Sequence, residues 1–448
     1  MTKSERWSFF AVVSLGLLMI SLDNSILYTA LPVLSQQLGA TPTQALWVIN
    51  AYPLVLSGLL LGAGSLGDKV GHRLMFVVGL IVFGIASLGA AFAPNPELLI
   101  AARAVLGAGA AVMMPATLAL ITLTFPDEQE RNTAIGVWAS VAVVGAALGP
   151  VVGGALLQWF WWGSVFLINV PIVVLALVLT VVLAPENMPN PAKQWDWLSS
   201  LYALLALTGL TMSIKSLSLA AAATCFVGAA LFVLRQRRIP EPLLTFDIFR
   251  SRLFAGGVIA AAGSMFVTAG VELMTTQKLQ LVDAFSPLHA GLTIIAMAIA
   301  AFPASVLGGY FLHRVGFLPL IAGGFAVAAA GAWALAGNFM VLGLVLSGVG
   351  VGAVMSVASI AIIGSAPLHR SGMAAGVEEV SYEFGSLVTV ALTGSLLQRE
   401  VASGATHLEG YQQVVLILAL SSLVFGLITW WCFRDNPKTT QNNSQQLS

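Results

Sequence analysis

Fourteen apolar runs, each roughly the ~20 residues that a helix needs to cross a bilayer, divide this chain of 448 residues. They cover approximately 8–32, 45–66, 74–93, 97–121, 133–157, 164–184, 197–214, 217–234, 253–275, 288–311, 317–336, 340–363, 373–397 and 411–433. Only 8% of the residues are charged and 58% are hydrophobic, against about 25% charged in a soluble domain. Water cannot solvate a fold with that much apolar surface, so the solvent is lipid and the backbone must satisfy its own polar groups as helices. An all-α polytopic membrane protein is the expected class. Its 44 glycines suit closely packed membrane helices. Cys225 and Cys432 both lie in apolar runs and read as free, packing thiols, with neither a disulfide nor a metal site indicated. Lys3 and Arg6 precede the first run as they would in a signal peptide. That run is long, carries Asp23 and has no small-residue cleavage pattern, so it reads as a retained span.

A short charged stretch follows the second run: Gly64 to Arg73, GSLGDKVGHR. A degenerate echo, GYFLHRVG, begins 245 residues later at Gly309 and ends at Gly316. Asp68-Lys69-Val70-Gly71 in the first copy becomes His313-Arg314-Val315-Gly316 in the second. Both copies follow the second span of a set of six, which gives a duplicated 6 + 2 + 6 plan. The expected organisation is an N-terminal six-helix bundle over 1–185, an inserted helix pair with its linker over 186–250, a C-terminal six-helix bundle over 251–434 and a disordered tail over 435–448. With the N-terminus inside, fifteen of the nineteen Lys and Arg fall on inner loops and tails. Lys215, Lys278 and Arg399 fall outside, and Arg103 alone lies within a span. Both termini are therefore expected on the cytoplasmic side.

Five acids fall within spans: Asp23, Glu272, Glu378, Glu379 and Glu383. An ionisable group at membrane depth costs at least ~2.5 kcal/mol on insertion scales and marks a functional site by default. Burial and like-charge crowding both penalise the ionised forms. Some of these acids are expected to hold a proton, or a bound cation, for part of a working cycle. Asp23 has Arg103 as a possible partner. Glu379 and Glu383 stack at i, i+4, while Glu378 points about 100° away and is open to snorkelling towards the surface. Glu272, near the outer end of its span, reads equally well as an interfacial acid beside Lys278 or as part of a pathway.

The remaining motifs are backbone devices. Asp68 is expected at the N-terminus of the third span, where an acid complements the helix dipole. Gly67 and Gly71 would permit a tight turn. Lys69 and Arg73 would reach acids or helix ends of a neighbouring bundle. In the fifth span Gly145, Gly149 and Gly153, with Gly154, form a flat small-residue face, and Pro150 removes a backbone donor and would kink the helix.

Taken in order, these residues resemble the major facilitator superfamily, and within it the fourteen-span drug:proton antiporters that export quaternary ammonium compounds and methyl viologen. Gly64–Arg73 resembles the family's loop signature, Arg103-Ala-Val-Leu-Gly107-Ala-Gly109 its fourth-span signature, and Gly145–Gly154 its antiporter signature. Leu22-Asp23-Asn24-Ser25-Ile26 through Pro32, Ser286–Gly291 and Gly376-Val377-Glu378-Glu379 are similar to stretches of the fourteen-span group. His72 replaces a usual base, Leu27-Tyr28-Thr29 replaces a more usual Val-Asn-Val, and 288–311 lacks the acid that several relatives carry.

The resemblance implies two pseudo-symmetric six-helix bundles with a midplane substrate cavity and alternating access. It implies proton-coupled export of lipophilic or aromatic cations, with Asp23, Arg103, Glu272, Glu378, Glu379 and Glu383 for coupling and substrate. Gly64, Gly67, Asp68, Gly71 and Arg73 would form an inner-face gate. It further implies no cofactor, no metal, no nucleic acid, a monomer, and a bacterial inner membrane. An exporter of an endogenous metabolite (an amino acid, a lipid or a siderophore) is the alternative on the same fold. A membrane enzyme is disfavoured: there is no HExxH, no usable GxSxG and no Walker-type loop, and the five His are scattered.

Overall fold

The computed structural model describes residues 2–192, 195–216, 218–240, 242–365 and 371–434, and all the regular structure within them is helical. Lys193, Arg370 and Lys438 of the charge count, and the 435–448 tail, lie outside the described residues. Thirteen described helices are long and apolar enough to cross a membrane, and Val144–Trp159 adds a shorter apolar stretch. The expected fourteen spans are thus present, and the chain is a multi-pass membrane protein. The chain divides into two compact units, residues 1–244 with 279–292, and residues 245–278 with 293–448.

The first unit opens with α1 (Lys3–Leu38), whose Thr2 and Glu5 form a reciprocal capping box and whose end is set by left-handed Gly39. A second capping box, Thr41 with Gln44, starts α2 (Pro42–Val70). Next come α3 (His72–Ala91), α4 (Pro96–Thr124) under an Asn95 cap, and α5 (Glu128–Trp159) under an Asp127 cap. The sixth span is interrupted into α6 (Ser164–Leu167) and α7 (Asn169–Leu183). Pro171 has no N–H to offer the Leu167 carbonyl, which accounts for the break. The inserted pair, α8 (Trp197–Ser216) and α9 (Leu219–Gln236), packs as a hairpin against α2. Arg235 grips both Asp196 carboxylate oxygens at 2.8 and 3.0 Å and closes the base of that hairpin. Within the unit α1 lies on α5 and α7, and α4 lies against α2 and α3.

The second unit holds a short 3-10 turn (Phe246–Arg250), α10 (Arg252–Gln277), most of α11 (Pro287–Val315), α12 (Phe317–Ala336), α13 (Met340–Ser365), α14 (Ser371–Ala402) and α15 (His407–Phe433). Here α10 packs on α13, α14 and α15, and α12 on α13 and α15. In both units the faces away from these contacts expose large apolar side chains such as Ile85, Val182, Phe226, Ile299 and Leu427, as lipid-facing helices do.

Three bases expected in outer loops sit on helices instead. Lys215 is in the last turn of α8, its ammonium 4.1 Å from the Trp47 ring centroid. Lys278 continues α10 through a π turn, is 9% exposed, and lies 6.0 Å from the Tyr411 ring. Arg399 belongs to the last turn of α14. Aromatic faces receive the ammonium groups of Lys215 and Lys278 at these helix ends.

Candidate functional site

Asp23 and Arg103 meet in the interior of the first unit. Arg103 Nη1 donates to Asp23 Oδ2 at 2.5 Å, and the two residues are 0% and 2% exposed. Arg103 Nε also donates to the Val48 carbonyl at 3.2 Å, and the guanidinium lies 4.5 Å above the Tyr52 ring and 6.0 Å from Phe166. Backbone approach makes this reach possible. A Cβ on Gly107, one turn beyond Arg103, would stand 2.5 Å from the Tyr52 carbonyl, so only glycine lets α4 close on α2. A buried pair of this kind is held by its hydrogen bonds as much as by its charge, since desolvation offsets much of the Coulomb gain.

The other oxygen of Asp23 is also taken. Asn169 Nδ2 donates to Asp23 Oδ1 at 2.8 Å and to Ser87 Oγ at 3.2 Å. Asn169 and Ser87 are both fully buried. The break between α6 and α7 places Asn169 at the first position of α7, pointing at α1 and α3.

Residues 64–73 are not a loop. Gly64, Gly67 and Asp68 belong to the last turns of α2, and Gly71 alone reverses the chain at φ 98°, with its N–H on the Gly67 carbonyl at 2.8 Å. The echo does the same: Gly316, at φ 88°, is the single residue between α11 and α12. Asp68 therefore sits at a helix C-terminus, where the dipole disfavours an acid, rather than at the expected N-terminus. His72, the first residue of α3, meets its carboxylate at 3.1 Å. Arg73 stays within its own unit and donates to the carbonyls of Val181 and Pro185 at the end of α7, at 3.3 and 3.2 Å. Asn187 completes the arrangement by accepting from Leu74 N at 3.2 Å and donating to the Val70 carbonyl at 2.7 Å.

A Cβ on Gly71 would lie 2.1 Å from Asn187 Oδ1, whereas nothing stands within 4 Å of one on Gly316. Gly71→Ala is expected to lose about 1–3 kcal/mol from backbone strain and a further loss from displacing Asn187, and Gly316→Ala the strain alone. Thermal unfolding of the two variants in detergent checks the order.

Nearby, Glu130 accepts from Arg6 Nη2 at 2.7 Å and Trp7 Nε1 at 2.8 Å. Desolvation pushes its carboxyl up, and these two donors with the Arg6 charge outweigh that and hold it below its ordinary value.

The antiporter-like glycines line the side of α5 that faces α1. Cβ positions on Gly145, Gly149 and Gly153 would fall against Leu18–Ser21, Ser25 and Ile26. Gly154 meets the backbone of Pro287 and Leu288, and Gly291 meets the carbonyl of Pro150. The helix continues through Pro150 to Trp159.

In the second unit the three glutamates of α14 diverge. Glu378, 8% exposed, accepts from Tyr382 Oη at 3.1 Å and is hydrogen-bonded by Ser359 of α13. It engages α13 rather than snorkelling outward. Glu383 is 7% exposed and Glu379, one turn before it, is half-buried. Glu272 is half-buried on α10.

The sequence pattern of the Major Facilitator Superfamily matches residues 13–284 and 252–448. The chain belongs to the Major Facilitator Superfamily. It is 34% identical over 435 residues to the methyl viologen resistance protein SmvA of Salmonella typhimurium, covering 94% of this chain and 88% of that one. It is 37% identical over 419 residues to the multidrug efflux pump LfrA of Mycolicibacterium smegmatis, covering 88% and 81%. Among solved structures, a bacterial homologue of the human lysosomal transporter Spinster aligns with a TM-score of 0.71 at 15% identity, over 97% of this chain and 98% of that one. This is a major facilitator transporter and not an enzyme.

Within this major facilitator chain the charge-based reading found Asp23, Arg103 and the α14 acids but passed over Asn169, Ser87, Tyr52, Ser359, Tyr382 and Asn187. The available signal for Asn169 was its position as the one amide in the run from 164 to 184, two residues ahead of Pro171.

Proposed function

We propose that the protein is a proton-coupled multidrug efflux antiporter that exports lipophilic or aromatic cations by alternating access. The observation that carries this reading is the distribution of buried charge. One acid is paired with one arginine inside the first unit, and three acids fall within residues 378–383 of one helix in the second. A cation can be held by α14 carboxylates and released when they take up protons, so exchange needs no nucleotide and no cofactor. The relatives named for methyl viologen resistance and multidrug efflux support a cationic cargo. Asp23 is the proton carrier, and Arg103 is its hydrogen-bonded partner. Glu378, Glu379, Glu383 and Glu272 serve substrate and proton, and the Gly64–Arg73 link with Asp68 and Arg73 serves as the gate on the inner face. The protein works as a monomer in a bacterial inner membrane, with both termini cytoplasmic.

Everted membrane vesicles with an acidic lumen test this. They are expected to accumulate ethidium, to stop when an uncoupler collapses the gradient, and to slow when Glu379→Gln removes one cation-facing carboxylate. Accumulation that persists without a gradient, or that is unchanged in Asp23→Asn combined with Glu379→Gln, would overturn the reading.

A further inference from the structure

We propose that Asn169 is an amide switch that registers the protonation state of Asp23. The inference rests on the proton-carrier reading of Asp23 and adds to it the group that answers the proton. Both carboxylate oxygens of Asp23 are occupied by donors, Arg103 Nη1 on Oδ2 and Asn169 Nδ2 on Oδ1. That arrangement matches an acid with both oxygens accepting, and a proton adds a donor that the cluster must place. A proton on Oδ1 directed at Asn169 would set an O–H against its NH2, donor against donor.

The orphaned atom of the cluster supplies the alternative. Asn169 Oδ1 is buried and has no hydrogen-bond partner, although the amide nitrogen of the same group has two. Turning the carboxamide by half a turn about Cβ–Cγ exchanges the two atoms. Oδ1 then accepts the new Asp23 O–H. Ser87 follows without moving its oxygen: its hydroxyl accepts from Nδ2 in the first state and rotates to donate to Oδ1 in the second. The first state leaves the amide oxygen unsatisfied and the second the amide NH2, so each carries a desolvation cost and the proton on Asp23 decides between them. Arg103, meanwhile, loses the charge it faced and keeps the Val48 carbonyl and the Tyr52 ring.

The charge environment is simple enough for this to work. The elements packed on α1 are α2, α4, α5, α6 and α7, with α3 added through Ser87 and residues 279–292 through Gln280, which donates to the Thr29 carbonyl. Their other charged groups with described side chains are Asp68 and Lys69 of α2, His72 and Arg73 of α3, Glu97 of α4, Glu130 and Arg131 of α5, and the exposed Asp283 and His289 of residues 279–292. All of these sit in terminal turns except Asp283, which lies in the link ahead of α11, and α6 and α7 carry none. On α1 itself the charges other than Asp23 are Lys3, Glu5 and Arg6, about 25 Å or more away along the helix axis. Arg103 is the charged group that faces Asp23.

Infrared titration of the purified protein, following the protonated-carboxyl band that Asp23→Asn removes, tests the switch together with ethidium exchange in proteoliposomes. A switch hydrogen-bonds both forms of Asp23. Asn169→Val is therefore expected to move the titration midpoint by less than about half a pH unit while slowing exchange roughly 10-fold or more, and Asn169→Thr, whose hydroxyl can donate or accept, to restore most of the rate. A fixed donor would favour only the ionised form, and its loss would move the midpoint upward by about one pH unit or more, the equivalent of a charge-assisted hydrogen bond. That result would overturn the switch and leave the proton-carrier reading standing. Wild-type ethidium exchange in Asp23→Asn would instead overturn the carrier reading. If the Asn169 variants do not fold, wild type labelled with carbon-13 at its Asn carboxamides decides. A pH-dependent amide band that disappears in Asp23→Asn supports the switch, and a pH-independent amide spectrum overturns it.

Discussion

Asp23→Asn is expected to reduce gradient-driven ethidium export to the level of vesicles without the protein, and to lower stability by about 3–5 kcal/mol, because it leaves the Arg103 guanidinium buried with no counter-charge. The two effects separate in a second variant. Asp23→Asn combined with Arg103→Met removes both charges and places a flexible apolar chain of similar length under Tyr52. Replacing a buried pair by apolar groups is often neutral or stabilising, so the double variant should recover most of the lost stability. Export should remain absent, since the buried acid of the first unit that carries the coupling proton is gone. Thermal unfolding in detergent and ethidium uptake in vesicles measure the two quantities. A double variant that is stable and exports at the wild-type rate would remove Asp23 from the coupling pathway.

The second large effect is expected at Gly149. A Cβ there would stand 2.4 Å from Ser25 Cβ and 2.9 Å from the Ile26 nitrogen, and backbone cannot retreat as a side chain can. Gly149→Val should cost about 1–3 kcal/mol as overpacking and push α1 away from α5. Ser25, which donates to the Ala146 carbonyl at 2.7 Å, is two residues from Asp23, so the displacement reaches the ion pair. Export is therefore expected to fall further than the loss of folded protein explains. Gly89→Ala is the control: no atom lies within 4 Å of its Cβ, and both stability and export should stay close to wild type. Equal losses in the two variants would show that the fifth-span glycines do not set the α1–α5 distance.

How much of the site is legible in one dimension depends on what a residue costs in lipid. Asp23, Arg103 and the acids of α14 are visible because an ionisable group in an apolar run is expensive and is not retained by accident. Asn169, Ser87 and Tyr382 are cheap there. A neutral amide or hydroxyl can bond the carbonyl a turn back, as Ser381 does to Val377 and Thr180 to Ala176, so its presence in a span signals nothing by itself. The extent of the turn in Gly64–Arg73 was hidden for a related reason. GSLGDKVGHR was expected to turn through Gly67 and Gly71, yet the hydrogen bonds of α2 continue to Gly71, because one residue at positive φ is enough to reverse the chain. Asp68 then fell at the end of one helix rather than the beginning of the next.

The sequence alone determined the solvent, the fourteen spans and the superfamily. These follow from run length, scarcity of charge and motifs read in order, all of which are local properties of the chain. Only the tertiary structure decided which partners those residues have. Asp23 lies 80 residues from Arg103 and 146 from Asn169. Their meeting depends on how closely α1, α3, α4 and α7 approach, which is set by glycines such as Gly107 against a neighbouring carbonyl and by the break ahead of Pro171. In lipid there is no water-driven collapse to impose one arrangement, so close packing and the satisfaction of buried polar groups select it. Both depend on atoms brought together from distant parts of the chain.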